Sequence, residues 1–203
     1  MRRSQKQSTD QERILEILAR AEVGYLGIII PDGYPRVIPI NFWNENTTIY
    51  LHGALSGEKY NAIKESPKVT FNVNWPHSVI PSYWISDDPS HGATHFYESI
   101  QINGICSIEK DINVRALVLQ KLMEKYQPEG KFLKVTPEEK GYEMAFKMTG
   151  IFKIVPDKVD FKVSLGQTYS NEIQKKIVDH LRERNTKRDQ ETLEAIRRMI
   201  YLN

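Results

Sequence analysis

The chain has 203 residues, 40% of them hydrophobic, with 28 Lys and Arg against 26 Asp and Glu and a formal net charge of +2. That is enough apolar material for one substantial core and a small appendage, and too little net charge for sequence-independent nucleic-acid binding, which needs a concentrated basic face. No apolar run can span a bilayer or serve as a signal-peptide core, and the single cysteine, Cys106, excludes an internal disulfide, so a reducing, cytoplasmic setting without membrane attachment is expected.

Met1 to Ser8 is polar and is expected to lack regular structure. Thr9 and Glu12 form a capping box, and Ile14, Leu15, Leu18 and Ala21 make one apolar stripe, which predicts a helix of about three turns lying over the core. Tyr25 to Ile30 and Tyr34 to Phe42 read as strands joined by the Pro31-Asp32-Gly33 turn, a hairpin. The second strand is apolar on both faces and is therefore expected to be buried on both, by the barrel interior behind and a cofactor or partner subunit in front. Asn44-Glu45-Asn46 turns the chain, with the Asn46-Thr47-Thr48 sequon read as part of that turn. Thr47 to His52 forms a further strand, and a helix capped by Ser56 follows, ending near Ser66-Pro67. Lys68 to Asn74 alternates as a strand.

From Trp75 to His95 the pattern breaks up around Pro76, Pro81 and Pro89, predicting a long flap over an active site or a dimer interface. His91 and His95 could share a helical face, but no further ligand pattern supports a metal, so they read as solvated loop histidines and no metal site is expected. Strand alternation returns at Ser99 to Glu109, at Phe146 to Ile154 and, past a Pro156-Asp157 turn, at Val159 to Leu165. Between these lie a helical pattern over Asp111 to Tyr126 and a helix start at Thr136-Pro137-Glu138-Glu139. Cys106, on the apolar side of its strand, reads as a small core residue.

The pattern predicts a mainly β protein with peripheral helices, in which a domain over 9–167 is followed by a helical appendage over 168–203. In the appendage Ile173, Ile177 and Leu181, then Leu193, Ile196 and Ile200, mark two amphipathic helices broken near Arg184-Asn185-Thr186. Its eight Lys and Arg against six Asp and Glu favour a solvated face over a nucleic-acid surface.

The chemistry concentrates in Leu51-His52-Gly53-Ala54-Leu55-Ser56-Gly57-Glu58-Lys59, a strand, a small-residue loop and a helix start. Free N–H groups at a helix N-terminus carry partial positive charge, and Lys59 a few residues inside adds a full one, so this stretch can hold a phosphate. Gly53, Ala54 and Gly57 permit close approach of a ligand to the backbone, and Arg36 on the preceding strand offers a forked second cation. Taken alone such a stretch is more often structural, since Ser-Gly before a helix is common.

Its company narrows the reading. Tyr34-Pro35-Arg36-Val37-Ile38-Pro39-Ile40-Asn41-Phe42, then Tyr50-Leu51-His52-Gly53-Ala54 with Gly57 and Lys59, then Pro67-Lys68-Val69-Thr70-Phe71, resemble the flavin-binding split-barrel family. That family includes the pyridoxamine 5'-phosphate oxidases and the nitroimidazole-resistance proteins, and Phe96-Tyr97-Glu98-Ser99-Ile100-Gln101-Ile102-Asn103-Gly104 resembles a strand of the latter branch. The resemblance runs from Ile14 to Gln167. It departs at Glu98, where a basic residue is common, and in the loop from Asn74 to His95.

The resemblance implies a six-stranded antiparallel split β-barrel with flanking helices, and a homodimer with FMN at the subunit interface. Arg36 and Lys59 would bind the phosphate with Ser56 and Gly57. Val37, Ile38, Pro39 and Asn41 would line the ring edge, and His52, Gly53 and Ala54 would lie beneath the ribityl chain or ring. Tyr97 and Ser99 would reach the partner's site. His52 is the one candidate proton donor, with a backbone-satisfied structural histidine as its equal alternative. The implied activity is an FMN-dependent oxidoreductase passing electrons from a nicotinamide donor to a nitro-aromatic or quinone-like acceptor. A non-catalytic flavin or haem binder and a deazaflavin-dependent reductase are the alternatives. The arginine-rich substrate-phosphate signature of a pyridoxamine phosphate oxidase itself is not evident.

Overall fold

A computed structural model describes residues 6–88 and 90–201. The expectations for Met1 to Gln5 and Pro89, and for the side chain of Ile200, lie outside the described residues. In chain order the elements are β1 (Gln7–Ser8), α1 (Gln11–Arg20), β2 (Gly24–Ile29), β3 (Pro35–Ile40), β4 (Phe42–Glu45), β5 (Thr48–Ala54), α2 (Glu58–Glu65), β6 (Lys68–Ile80), β7 (Thr94–Glu109), α3 (Ile112–Tyr126), α4 (Glu143–Met148), β8 (Thr149–Ser164), α5 (Asn171–Arg184) and α6 (Lys187–Tyr201). The strands form one sheet in the order β3-β2-β6-β7-β8-β5-β4, with β1 paired to β8. It is the expected mainly antiparallel sheet of a split barrel with flanking helices, carrying eight strands rather than six.

The differences from the sequence reading are local. Gln7 and Ser8, expected to be irregular, pair with Lys162 and Phe161. Asp10, not Thr9, caps α1, its carboxylate accepting from the Arg13 N–H at 2.9 Å. The β2–β3 hairpin closes as expected, with Gly24 opposite Ile40 and Ile29 opposite Pro35; β3 is an edge strand, and within the single chain its Val37 is 64% exposed. The long flap is strand at its two ends: β6 runs through Pro76 to Ile80 and β7 starts at Thr94, and the connection between them carries a 3-10 turn at Ser82–Trp84.

No helix starts at Thr136-Pro137, because Glu139 turns its carboxylate onto the Gly141 N–H and the chain enters a 3-10 turn before α4. Phe146 and Met148 lie in that helix rather than in a strand. Pro156-Asp157 makes no turn, and β8 is continuous from Thr149 to Ser164. The reason is Gly104 on β7, which lies so close to the Val155 carbonyl that a Cβ would overlap it. The missing side chain lets the proline-containing strand stay alongside its neighbour.

The chain divides into two compact units. One comprises Asp10–Val73 and Ile100–Asp160. Its core is built from Leu26, Phe42, Ile49, Leu51, Phe71, Ile102, Phe152 and Ile154, with Ile17 and Leu18 of α1. Phe42 of β4 meets Phe71 of β6 edge-on, ring centroids 4.9 Å apart, although the two strands are well separated in the sheet order. The sheet of this unit therefore curls until its interior faces touch. Outside it, Val118 and Leu122 of α3 pack on Tyr50 and Ile151.

The other unit comprises the described chain up to Thr9, Asn74–Ser99 and the chain from Phe161 onward. It contains both C-terminal helices, α5 capped by the Ser170 hydroxyl and ended by Asn185 in the left-handed conformation at φ 48°. Ile177, Leu181, Ala195 and Ile196 are buried together with Ile80, Trp84 and Phe96 among its core residues. Among the described residues no helix is long and apolar enough to cross a membrane.

Candidate functional site

The site grows out of β5. Ile49, Tyr50 and Leu51 are buried and anchor the strand against β8. The chain then emerges through His52, Gly53 and Ala54, and Leu55 folds back onto Gly150. Gly57 follows at φ 90°, a conformation open to glycine and strained for other residues. Gly57, rather than the expected Ser56, is the N-cap of α2, and no side chain caps it. A Cβ on Gly57 would meet nothing within 4 Å, so the space over the first turn of α2 is open. The helix ends at Ser66 before Pro67, as expected.

Lys59, on the first turn of α2, folds inward. Its amine lies against Gly53, where a Cβ would collide with it, and 4.9 Å from the centre of the Phe152 ring. Among the described residues it meets no carboxylate and no hydrogen-bond acceptor. Burial holds its pKa below the ordinary lysine value, against a smaller opposing influence of Cys106. Burial also pushes the Cys106 thiol up to about 12, so it stays protonated and unreactive.

His52 stands at the strand end opposite Ile151. Partial burial, and then the charge of Lys59, lower its pKa from the ordinary imidazole value. It is therefore a neutral imidazole at pH 7, able to donate one hydrogen bond and accept another, and not a cationic acid.

Arg36 on β3 comes to the same loop, but its guanidinium holds Glu58, Nε 2.9 Å from Oε1 and Nη2 3.0 Å from Oε2. Val37, Pro39 and Asn41 are exposed along that edge and Ile38 is half-buried. The structure thus brings Arg36, His52, Gly53, Ala54, Gly57 and Lys59 to one loop cluster, with Ser56 exposed beside it. Tyr97 and Ser99 are partly buried on β7 in the other unit, where the Lys162 amine lies 4.9 Å from the centre of the Tyr97 ring.

Two features escaped the sequence reading. Glu58 has no role in that reading, and its bond to Arg36 joins residues 22 positions apart. In the second unit the buried His77, in the stretch where the pattern predicted loop, pairs with Glu98 at 2.8 Å, and only the odd acid at Glu98 hinted at it. His95 bonds the His77 carbonyl at 2.8 Å. Among the described residues no three His, Cys, Asp or Glu side chains gather as a metal site.

The sequence profile described as pyridoxamine 5'-phosphate oxidase matches residues 10–163. The chain belongs to this family. The match covers the whole of the loop cluster and Arg36 as well as both Tyr97 and Ser99. No curated protein matches the chain. Among solved structures, the family fold is shared with a candidate 5-nitroimidazole antibiotic resistance protein from Bacteroides thetaiotaomicron, at 23% identity and TM-score 0.62 over 77% of this chain and 86% of that one. It is shared with a FAD and haem binding protein from Mycobacterium smegmatis, at 18% identity and TM-score 0.64 over 86% and 80%. The flavocytochrome Anf3 from Azotobacter vinelandii is similar at 21% identity and TM-score 0.64 over 77% and 68%.

Proposed function

We propose that this member of the family is an FMN-binding oxidoreductase, with the flavin phosphate seated at the β5–α2 loop. The observation that carries the reading is Lys59: an amine drawn into partial burial beside Gly53, with no acceptor among the described residues, next to the uncapped first turn of α2. A cation held out of water without a partner is unfavourable unless an anion completes it, and helix N–H groups complement the same anion. The residues present fit a flavin phosphate.

FMN when bound supplies the two-electron redox chemistry. The protein's part is to hold and shape. Lys59 and the Gly57 backbone bind the phosphate, with Ser56 and Arg36 at its rim. Gly53 and Ala54 keep the β5 surface low beneath the ribityl chain, and the Val37 to Asn41 edge offers backbone and apolar contact to the ring. His52, neutral at pH 7, holds a hydrogen bond to the cofactor or an incoming acceptor and can take up a proton without first losing one. A nicotinamide donor and a nitro-aromatic or quinone-like acceptor fit an electron carrier of this kind.

We also propose that a second copy of the chain covers the exposed apolar edge at Tyr34 and Val37, with Tyr97 and Ser99 reaching the partner's flavin. Large apolar side chains exposed at an edge strand and the turn before it favour such a cover.

The test is a visible absorption spectrum of the purified protein, mass identification of what it releases on denaturation, and assay of nicotinamide oxidation with nitro-aromatic and quinone acceptors. Flavin bands, released FMN and turnover support the reading. A colourless protein that takes up no added FMN overturns it, and FMN without turnover of any acceptor leaves a flavin-binding protein that is not this enzyme.

A further inference from the structure

Arg36, the forked cation of the site, already holds an anion. Its two bonds to Glu58 are parallel, in the arrangement a guanidinium makes to carboxylate and phosphate alike. Each side chain is 49% exposed, so water competes for both and the pair is a weak one. Glu58 is also the first residue of α2, beside the uncapped Gly57 and the open space over it. Its neighbour Lys59 points the other way, over Gly53, and among the described residues meets no carboxylate. Of the two cations at the loop, one is completed from within the chain and the other is not.

We propose that the Glu58 carboxylate is an internal stand-in for phosphate, occupying Arg36 until a phosphate monoester arrives and then releasing the guanidinium to it. This rests on the reading of the loop as a phosphate seat. Lys59 is gained outright by the incoming anion, and Arg36 is gained only by exchange. A phosphate near −2 with three acceptor oxygens competes well for a half-exposed guanidinium, whereas a monoanion with no more charge than Glu58 itself has no such advantage. Glu58 therefore lowers the affinity for every phosphate-bearing ligand and biases the site toward dianions.

The experiment titrates the full chain with FMN and with riboflavin, which lacks the phosphate, following flavin fluorescence. The proteins are the wild type, Glu58→Gln, Arg36→Met, the double variant and Lys59→Met. The expected result is that Glu58→Gln binds FMN about tenfold more tightly, one charge-assisted contact no longer contested, with riboflavin unchanged and the gain abolished by Arg36→Met. Glu58→Ala serves as a second carboxylate-free variant, so that a folding defect peculiar to one substitution is recognised. FMN binding to both Glu58 variants no tighter than wild type overturns the proposal, and so does a gain that persists without Arg36. Equal FMN affinity for wild type and Lys59→Met, or no FMN binding by the wild type, instead overturns the phosphate seat, and the proposal with it.

Discussion

The Nε2 atom of His77 and a carboxylate oxygen of Glu98 lie 2.8 Å apart, with both side chains buried and Nδ1 of the same imidazole without a hydrogen-bond partner among the described residues. A carboxylate can only accept, so Nε2 is the donor of this bond. Glu98→Ala strips Nε2 of this acceptor and is expected to destabilise the protein by about 3 kcal/mol, while Glu98→Gln, which keeps an acceptor oxygen, loses about half that. Urea unfolding of the two variants checks the order. Equal losses would mean that the bond contributes little beyond packing.

Asp189 is the buried hub of the C-terminal helices. It accepts from Arg184 at 2.6 and 2.9 Å, from the Ser78 hydroxyl at 2.5 Å and from the Thr186 hydroxyl at 2.7 Å. The Arg184 guanidinium, with help from Ser78 and Thr186, holds its carboxyl far below the usual carboxylate range. Its folded pKa is depressed, so its contribution is complete above the unfolded value of about 3.9 and is lost as the pH falls below that. Amide hydrogen exchange in α6 is expected to accelerate below about pH 4. Asp189→Asn is expected to cost about 3–5 kcal/mol at neutral pH and to remove most of this acid dependence.

His52 and Lys59 are coupled through their charges. Burial is the larger cause of the lowered His52 pKa and the Lys59 ammonium the smaller. Lys59→Met is therefore expected to raise the His52 pKa only part of the way to about 6.5, as read by NMR titration of the imidazole C–H signals. An unchanged or lower value would place the amine away from the imidazole in solution.

Gly104 is expected to tolerate no side chain. A Cβ there would overlap the Val155 carbonyl, a backbone group that cannot move aside without disturbing β8. Gly104→Ala should lower stability by about 1–3 kcal/mol. Gly92→Ala, where a Cβ meets nothing within 4 Å, should leave it within about 0.5 kcal/mol. Thermal melts of the pair separate a steric effect from a general glycine effect.

How far the sequence could be read depended on the range of the interactions. The β2–β3 hairpin, the β5–loop–α2 passage, the end of α2 at Ser66 and both C-terminal helices were legible because alternation, apolar stripes and turn residues act over a few positions. The cap of α1 was misplaced by one residue, since Thr9 and Asp10 are both good caps and only packing chooses between them. The start of the Trp75 to His95 flap, strand rather than loop, was misread because Pro76 outweighed the burial of His77, Ser78 and Ile80, polar and apolar residues that no period joins. The turn expected at Pro156 failed because its outcome rested on a glycine 52 positions away.

Family membership and the loop that carries Lys59 followed from local residue order, which a one-dimensional reading captures. Which cation of that loop is already paired, which imidazole is neutral, and where a carboxylate is buried did not. Those depend on distances between residues remote in the chain, Arg36 to Glu58, His77 to Glu98 and Ser78 to Asp189, and on how much water each pair has lost. Folding sets both quantities, and the strength of a charge interaction changes severalfold with each.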